Sequence, residues 1–218
     1  MLADGYDGYN GVVCGNGITR SGCWSHARRK YVEAEKTAPE IAREAVALIS
    51  ALYAVEKQAK DVSVAERREL RQAQSTPVLA ELRRKLLLWK EQLIPKHPMA
   101  DAVNYTLNQW AELNAFCSDG AVPIDNNVSE REMKRVVLNR KNSLFVGNPR
   151  GGRTAAILAS LTSTCRRHDV APQLYFTQLL LNLPRVRRSE LSMWLPDQWK
   201  LHQAARIASL QNTASPTS

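Results

Sequence analysis

Residues 123–135 read PIDNNVSEREMKR. They place Asp125, Asn126, Asn127 and Glu130 directly ahead of Arg131, Lys134 and Arg135. Two readings compete. In the first, the stretch is only a helix start: Asn127 and Glu130 stand three apart, as a capping box requires. Asp125 and Asn126 then suit the preceding turn, and Glu130 pairs with Lys134 one helical turn on. In the second, Glu130 is a metal-holding carboxylate beside a phosphate. The local pattern alone favours the first reading, so the choice depends on what accompanies it elsewhere.

Charge is the first companion. The chain of 218 residues carries a net charge of +9. Residues 1–127 hold sixteen Lys/Arg against sixteen Asp/Glu, while residues 128–218 hold fourteen against five. Positive charge concentrated in one segment is the footprint of a polyanionic partner, and nucleic acid is the commonest such partner. The alternative is a solvated basic face.

Upstream of PIDNN, periodicity predicts a helical block. Ile41, Ala45, Leu48, Ile49, Leu52 and Val55 form one apolar stripe. Leu79, Leu82, Leu86, Trp89 and Leu93 form a second, and Val103, Leu107, Trp110, Leu113 and Phe116 a third. Pro39, Pro95 and Pro98 fall at or near the breaks, and Pro77 is expected to divide the second helix from VAERRELRQAQ. A further helix is expected from Ser25 to Lys36.

Downstream, helices are expected from Val128 to Arg140, over RTAAILASLTSTCRRH with Ala156, Leu158, Leu161 and Cys165 inward, and over PQLYFTQLLLNL. Leu144 to Val146 reads as a brief strand or extended turn. The polar tail QNTASPTS is expected to be disordered.

The N-terminus supplies a second acid. DGYDGYNGVVCGNGITRSG (4–22) holds six glycines, and ITRSGCW reads as a short strand. Asp4 sits where a strand gives way to a loop. A carboxylate there is well placed to hold Mg²⁺, because the sheet fixes its oxygens while the loop leaves room for substrate. A plain turn aspartate is the other reading. GCWSHARRKY places Cys23 and His26 at C-x-x-H spacing, which CRRH repeats at Cys165 and His168. A zinc site would need a second pair at finger spacing, and neither has one. GNPRGGR lacks the Gly-Lys-Ser/Thr of a nucleotide loop, but its backbone N–H groups with Arg150 and Arg153 suit a phosphodiester.

Four cysteines at uneven spacing are expected to be free thiols. No run approaches the about 18–20 apolar residues of a membrane span, and the N-terminus lacks the order of a secretory signal. The chain is therefore expected to be cytoplasmic, associated with the nucleoid if DNA is its partner.

In order and spacing, ADGYDGYNGV, GCWSHARRKY, the helical block and PIDNNVSEREMKRVVLNRKNSLFVGNPRGGRTAAILASLTSTCRRHDVAPQLY resemble the C-terminal half of insertion-sequence-66 family transposases, with Asp125 to Gly152 the most specific part. The resemblance implies a mainly α chain with a small β component. It would be a partial RNase H-like catalytic domain, its first strands missing, that carries an all-helical insertion. The implied parts are core remnant 1–30, insertion 31–120, returning core segment 121–170 and C-terminal segment 171–218.

By the same resemblance, Asp4 is the second acid of a DDE triad and Glu130 the third. Both are catalytic and both hold metal. Cys23, His26 and Asn127 are active-site-adjacent. Arg131, Lys134, Arg135, Arg140, Lys141, Arg150 and Arg153 meet DNA. The implied cofactor is a pair of Mg²⁺ or Mn²⁺ ions, bound only in a complete active site. The implied partners are transposon ends and target DNA, other transposase subunits and element-encoded accessory proteins, with no membrane. The family's first aspartate lies on an earlier strand, so the chain is expected to be a fragment inactive alone. The alternatives are a non-catalytic DNA-binding or interfering remnant, or a helical interaction protein whose charge serves solvation.

Overall fold

The computed structural model describes residues 1–5, 8, 10–143 and 145–213; of residues 10, 143 and 206–213 it describes the backbone alone. The chain divides into two compact units, Met1–Glu130 and Arg131–Ser218.

The first unit opens on extended chain. Leu2 forms an isolated parallel bridge with Ser21. The Ala3 N–H donates to Ser21 O at 3.0 Å, and the Ser21 N–H to Met1 O at 2.8 Å. Among the described residues, the β component is this one bridge, so ITRSGCW pairs at Ser21 without becoming a strand. A single turn, α1 (Asn10–Val13), follows the bridge's first arm.

Helix α2 (Trp24–Glu33) starts where the Trp24 N–H meets Ile124 O at 3.2 Å. It packs against α3 (Pro39–Gln58) and α6 (Pro98–Asn108), and α5 (Thr76–Gln92) closes the group by packing on α3 and α6. The three stripes meet in one core: Ala45, Ile49 and Leu52 from α3, Leu79, Leu82 and Leu86 from α5, and Val103, Leu113 and Phe116 from the last stripe. Each buried leucine contributes about 1.5–3 kcal/mol. The third stripe is interrupted at Gln109 and resumes in α7 (Trp110–Asn114) and a 3₁₀ turn, Ala115–Cys117.

Helix α4 (Val64–Leu70) begins with a capping box between Ser63 and Glu66. It then runs through a π-turn, Arg71–Ser75, directly into α5. Pro77 therefore does not divide the two helices. The Thr76 N–H reaches back five residues to Arg71 O. Proline's missing donor and its ring thus fall where the ladder is already rerouted. The turn also carries Arg71 into the core, where 1% of it is exposed. Its Nε and Nη2 each donate to the Glu56 carboxylate at 2.7 Å, and its Nη1 donates to Phe116 O at 2.7 Å and Asp119 O at 2.9 Å.

Helix α8 (Asn127–Ser143) crosses the boundary between the units. In the second unit, Asn148 caps α9 (Pro149–Arg167) by accepting the Gly151 N–H at 2.9 Å. Helices α10 (Pro172–Asn182) and α11 (Pro196–Thr213) pack on α9. Their shared core is small: Cys165, Val170, Tyr175, Leu179 and Trp199. Because it gathers at Cys165, only the end of α9 is covered, and Ala156 and Leu158 are exposed where an inward face was expected. Of the expected strand at 144–146, Leu144 lies outside the described residues, and Phe145 and Val146 are exposed outside any element. Of the tail, residues 211–213 close α11 and residues 214–218 lie outside the described residues. No described helix is long and apolar enough to cross a membrane.

Candidate active site

The segment from Arg20 to His26 is the frame of the site. On one side it holds Asp4. The bridge at Ser21 fixes Ala3, and the Arg20 Nη2 donates to the Asp4 carbonyl at 2.5 Å. The next amide, that of Gly5, donates to the Tyr105 hydroxyl at 3.2 Å. A Cβ at Gly5 would stand 2.7 Å from the Tyr105 ring, so only glycine lets the chain pass this closely. Burial first, and then the Asp4 charge, push the Tyr105 hydroxyl pKa up, against the Gly5 N–H, which lowers it.

On its other side the segment holds the start of α8. The Asp125 carboxylate accepts the Asn127 N–H at 3.1 Å and the Asn127 amide at 2.8 Å. Tyr53, on α3, donates its hydroxyl to the same carboxylate at 2.9 Å. Burial, and next the bond to Asp125, drive the Tyr53 pKa far above the usual phenol range. Glu130 does not close the capping box expected with Asn127. Its Oε1 lies 3.1 Å from His26 Nε2, while the Asn127 N–H is taken by Asp125. The carboxylate remains 41% exposed and the imidazole 19%.

Cys23 stands between the two sides. It is buried, and burial raises its thiol above the ordinary value; the N–H groups of Asn126, His26 and Ser25 pull the other way. A thiol kept protonated in this way is a packing group, not a nucleophile. Among the described residues, His26 Nδ1 and Asn126 Oδ1 are buried without a hydrogen-bond partner.

The segment that holds Cys23 and His26 thus anchors Asp4 through its carbonyl and Glu130 through its carboxylate, while Asn127 is tied to Asp125. Sequence reading missed Tyr53, Tyr105 and Asp125 as supports. For Tyr53 the signal available was the order Tyr-then-acid across a helical block, which is too common to single it out, and Tyr105 accepts a backbone N–H, which leaves no mark in the residue pattern. Cys165, from the second C-x-x-H pair, is buried in the core of its own unit. No group of three His, Cys, Asp or Glu that could hold a metal ion occurs among the described residues.

The expected DNA-contacting residues fall in the second unit. Arg131, Lys134, Arg135, Arg140 and Lys141 lie on α8, and Arg150 and Arg153 in the first turns of α9; all are at least partly exposed. Arg135 Nε is 3.7 Å from Glu132 Oε1.

Comparison with known proteins identifies the family. The profile of the family described as Transposase IS66 family matches residues 1–154. The uncharacterized protein y4jD of Sinorhizobium fredii (strain NBRC 101917 / NGR234) is 36% identical over 217 residues, covering 95% of this chain and 42% of that protein. From the same organism, y4qI is 32% identical over 92% of this chain and 39% of its own length, and y4hP 30% identical over 95% and 41%. The chain spans about two-fifths of the length of the curated relatives it matches. No solved structure matches it.

Proposed function

The chain belongs to the IS66 family of transposases, and from that premise we propose that it supplies two of three acids to the DNA-cleaving site of a DDE transposase, Asp4 as the second and Glu130 as the third. The supporting observation is that these acids, from the two ends of the first unit, are both anchored to residues 20–26. The completed fold in this reading is RNase H-like, with residues 31–120, which hold α3 to α7, as its helical insertion.

The donors fit a divalent cation in kind. Asp4 and Glu130 offer hard oxygens, and Mg²⁺ takes few carboxylates while keeping water and phosphate oxygens. In a complete site Asp4 and Glu130 would hold Mg²⁺ or Mn²⁺, which supplies Lewis-acid stabilisation of the attacking and leaving oxygens of a phosphodiester. The protein's own contributions are separate from this. His26 steadies the Glu130 carboxylate, and Asp125 fixes the first turn of the helix that carries it. The exposed cations of α8 and α9 bind DNA phosphates.

In this reading the triad is completed by a further part of the transposase, the curated relatives being longer than this chain. Joined to that part, it is expected to cleave DNA bearing the element's ends when Mg²⁺ is supplied. Asp4→Ala and Glu130→Ala should each abolish cleavage, and retained activity in either overturns the assignment. The exposed basic residues of the second unit favour one alternative, a DNA-binding or interfering remnant without chemistry. That reading predicts duplex binding by this chain together with no cleavage by the joined protein.

A further inference from the structure

Both acid-bearing segments are held by a tyrosine from the helical block, and the two tyrosines come from different helices. Tyr105 lies on α6 and Tyr53 on α3. On the Asp4 side, the Tyr105 hydroxyl accepts the Gly5 N–H at 3.2 Å, next to the acid in the chain. Lys30 Nζ stands 4.8 Å from the centre of the Tyr105 ring and so helps to fix it. On the Glu130 side, the Tyr53 hydroxyl donates to Asp125 Oδ2 at 2.9 Å, and the same carboxylate takes both the N–H and the side-chain amide of Asn127. Asn127 is the first residue of α8, and Glu130 lies one turn along.

We propose that Tyr53 and Tyr105 are positioning residues, through which the helical block aims the two acids independently of each other. This rests on the site proposed above. The physical reason is that neither acid is carried by a rigid sheet in this unit. Asp4 follows a single bridge, and Glu130 sits at a helix end, where backbone groups lack helical partners and fraying begins. A phenol reaching out from a packed helix core is a stiff support, with only two side-chain torsions to restrain. Placement errors of about 1 Å at a reacting centre cost on the order of 100-fold in rate, so supports of this kind bear directly on turnover.

The test uses the 218-residue chain, ¹⁵N-labelled, and two reporters. The Nε2 resonance of His26 reports where the Glu130 carboxylate is, with Glu130→Gln as its reference. Amide exchange at Gly5 reports the Asp4 side. Tyr53→Phe is expected to move the His26 resonance toward its Glu130→Gln position and to leave Gly5 exchange unchanged. Tyr105→Phe is expected to speed Gly5 exchange roughly 5- to 10-fold, the loss of one hydrogen bond, and to leave His26 unchanged. General loosening would move both reporters in both variants, and that result overturns the proposal, as does a variant that moves neither. Asp125→Ala removes the same link from the other end and is expected to reproduce Tyr53→Phe at His26; failure to do so also overturns it.

In the joined transposase, each Tyr→Phe change should lower the cleavage rate at saturating DNA and leave the KM for DNA unchanged. Absence of cleavage in the unsubstituted joined protein defeats the proposed function and leaves the two reporters to decide the tyrosines.

Discussion

His26 Nε2 and Glu130 Oε1 stand 3.1 Å apart, each in the first turn of its own helix. The pair joins the C-x-x-H motif to the PIDNN motif, and it diverts Glu130 from the capping role its spacing allows. With 41% of the carboxylate side chain exposed, solvent screens most of the attraction. Glu130→Gln is therefore expected to change unfolding stability by less than about 1 kcal/mol. Urea denaturation checks it, and a loss above about 2 kcal/mol would mark the pair as a fold element instead.

Arg71 behaves differently, being a charge inside the core. Arg71→Ala strands the Glu56 carboxylate and removes the donors to the Phe116 and Asp119 carbonyls. The expected cost is about 3–5 kcal/mol. Chemical denaturation of the variant should show the midpoint falling accordingly, and Arg71→Lys should recover only part, since one ammonium cannot span both partners.

The four cysteines should separate by reactivity. Cys14 is exposed, whereas Cys23, Cys117 and Cys165 are buried. Burial raises the thiols of Cys23 and Cys165 and pushes that of Cys117 up to about 11. Since only the thiolate attacks, the three buried groups stay protonated and slow at about pH 8, below their raised values. Titration with an aromatic disulfide should show one fast thiol in native protein and four after denaturation.

DNA binding should carry its signature in salt. Duplex affinity is expected to fall steeply between about 50 and 200 mM salt. Lys134→Gln, Arg140→Gln and Lys141→Gln should each flatten the plot of log affinity against log salt, by about 0.9 for every phosphate that is no longer neutralised. Unchanged slopes in all three would remove α8 from the interface. Arg135, shared with Glu132, should have the smaller effect.

Acid should weaken the α4 cap. Glu66 is held below its ordinary value by the Ser63 side chain first and the Ser63 backbone N–H second. A depressed folded-state pKa stabilises above the unfolded value of 4.5 and loses that contribution as pH falls through the folded value. The acid limb of a melting-temperature profile should therefore shift in Glu66→Gln. Ser63→Ala should cost about 1 kcal/mol at neutral pH.

What the sequence made legible was whatever obeys a period. Ala45, Ile49 and Leu52 recur at helical spacing and are buried. The sequence left Arg71 illegible because two of its partners are backbone carbonyls, which leave no mark in the residue pattern. Tyr53 was hidden for a related reason: its partner, Asp125, lies across a helical block and is already accounted for as a turn residue. Ala156 and Leu158 misled because small apolar residues on α9 have the right period, yet the second unit's core ends at Leu161 and Cys165. Pro77 misled because one residue's worth of ladder slack, which no composition rule reveals, absorbs it.

That slack holds one residue more than a regular helix would, at little change of rotational phase. Removing one residue from Arg71–Ser75 would tidy the chain into an unbroken α-helix from Val64 to Gln92. Because the wide turn spreads its extra residue over about one revolution, everything downstream would keep nearly its present facing. Leu79, Leu82 and Leu86 would stay on the core, while Arg71, a residue of the turn itself, would be re-aimed away from its grip on Glu56. The irregular turn thus serves the arginine, and a designer who regularised it would keep the leucine stripe and give up the buried ion pair.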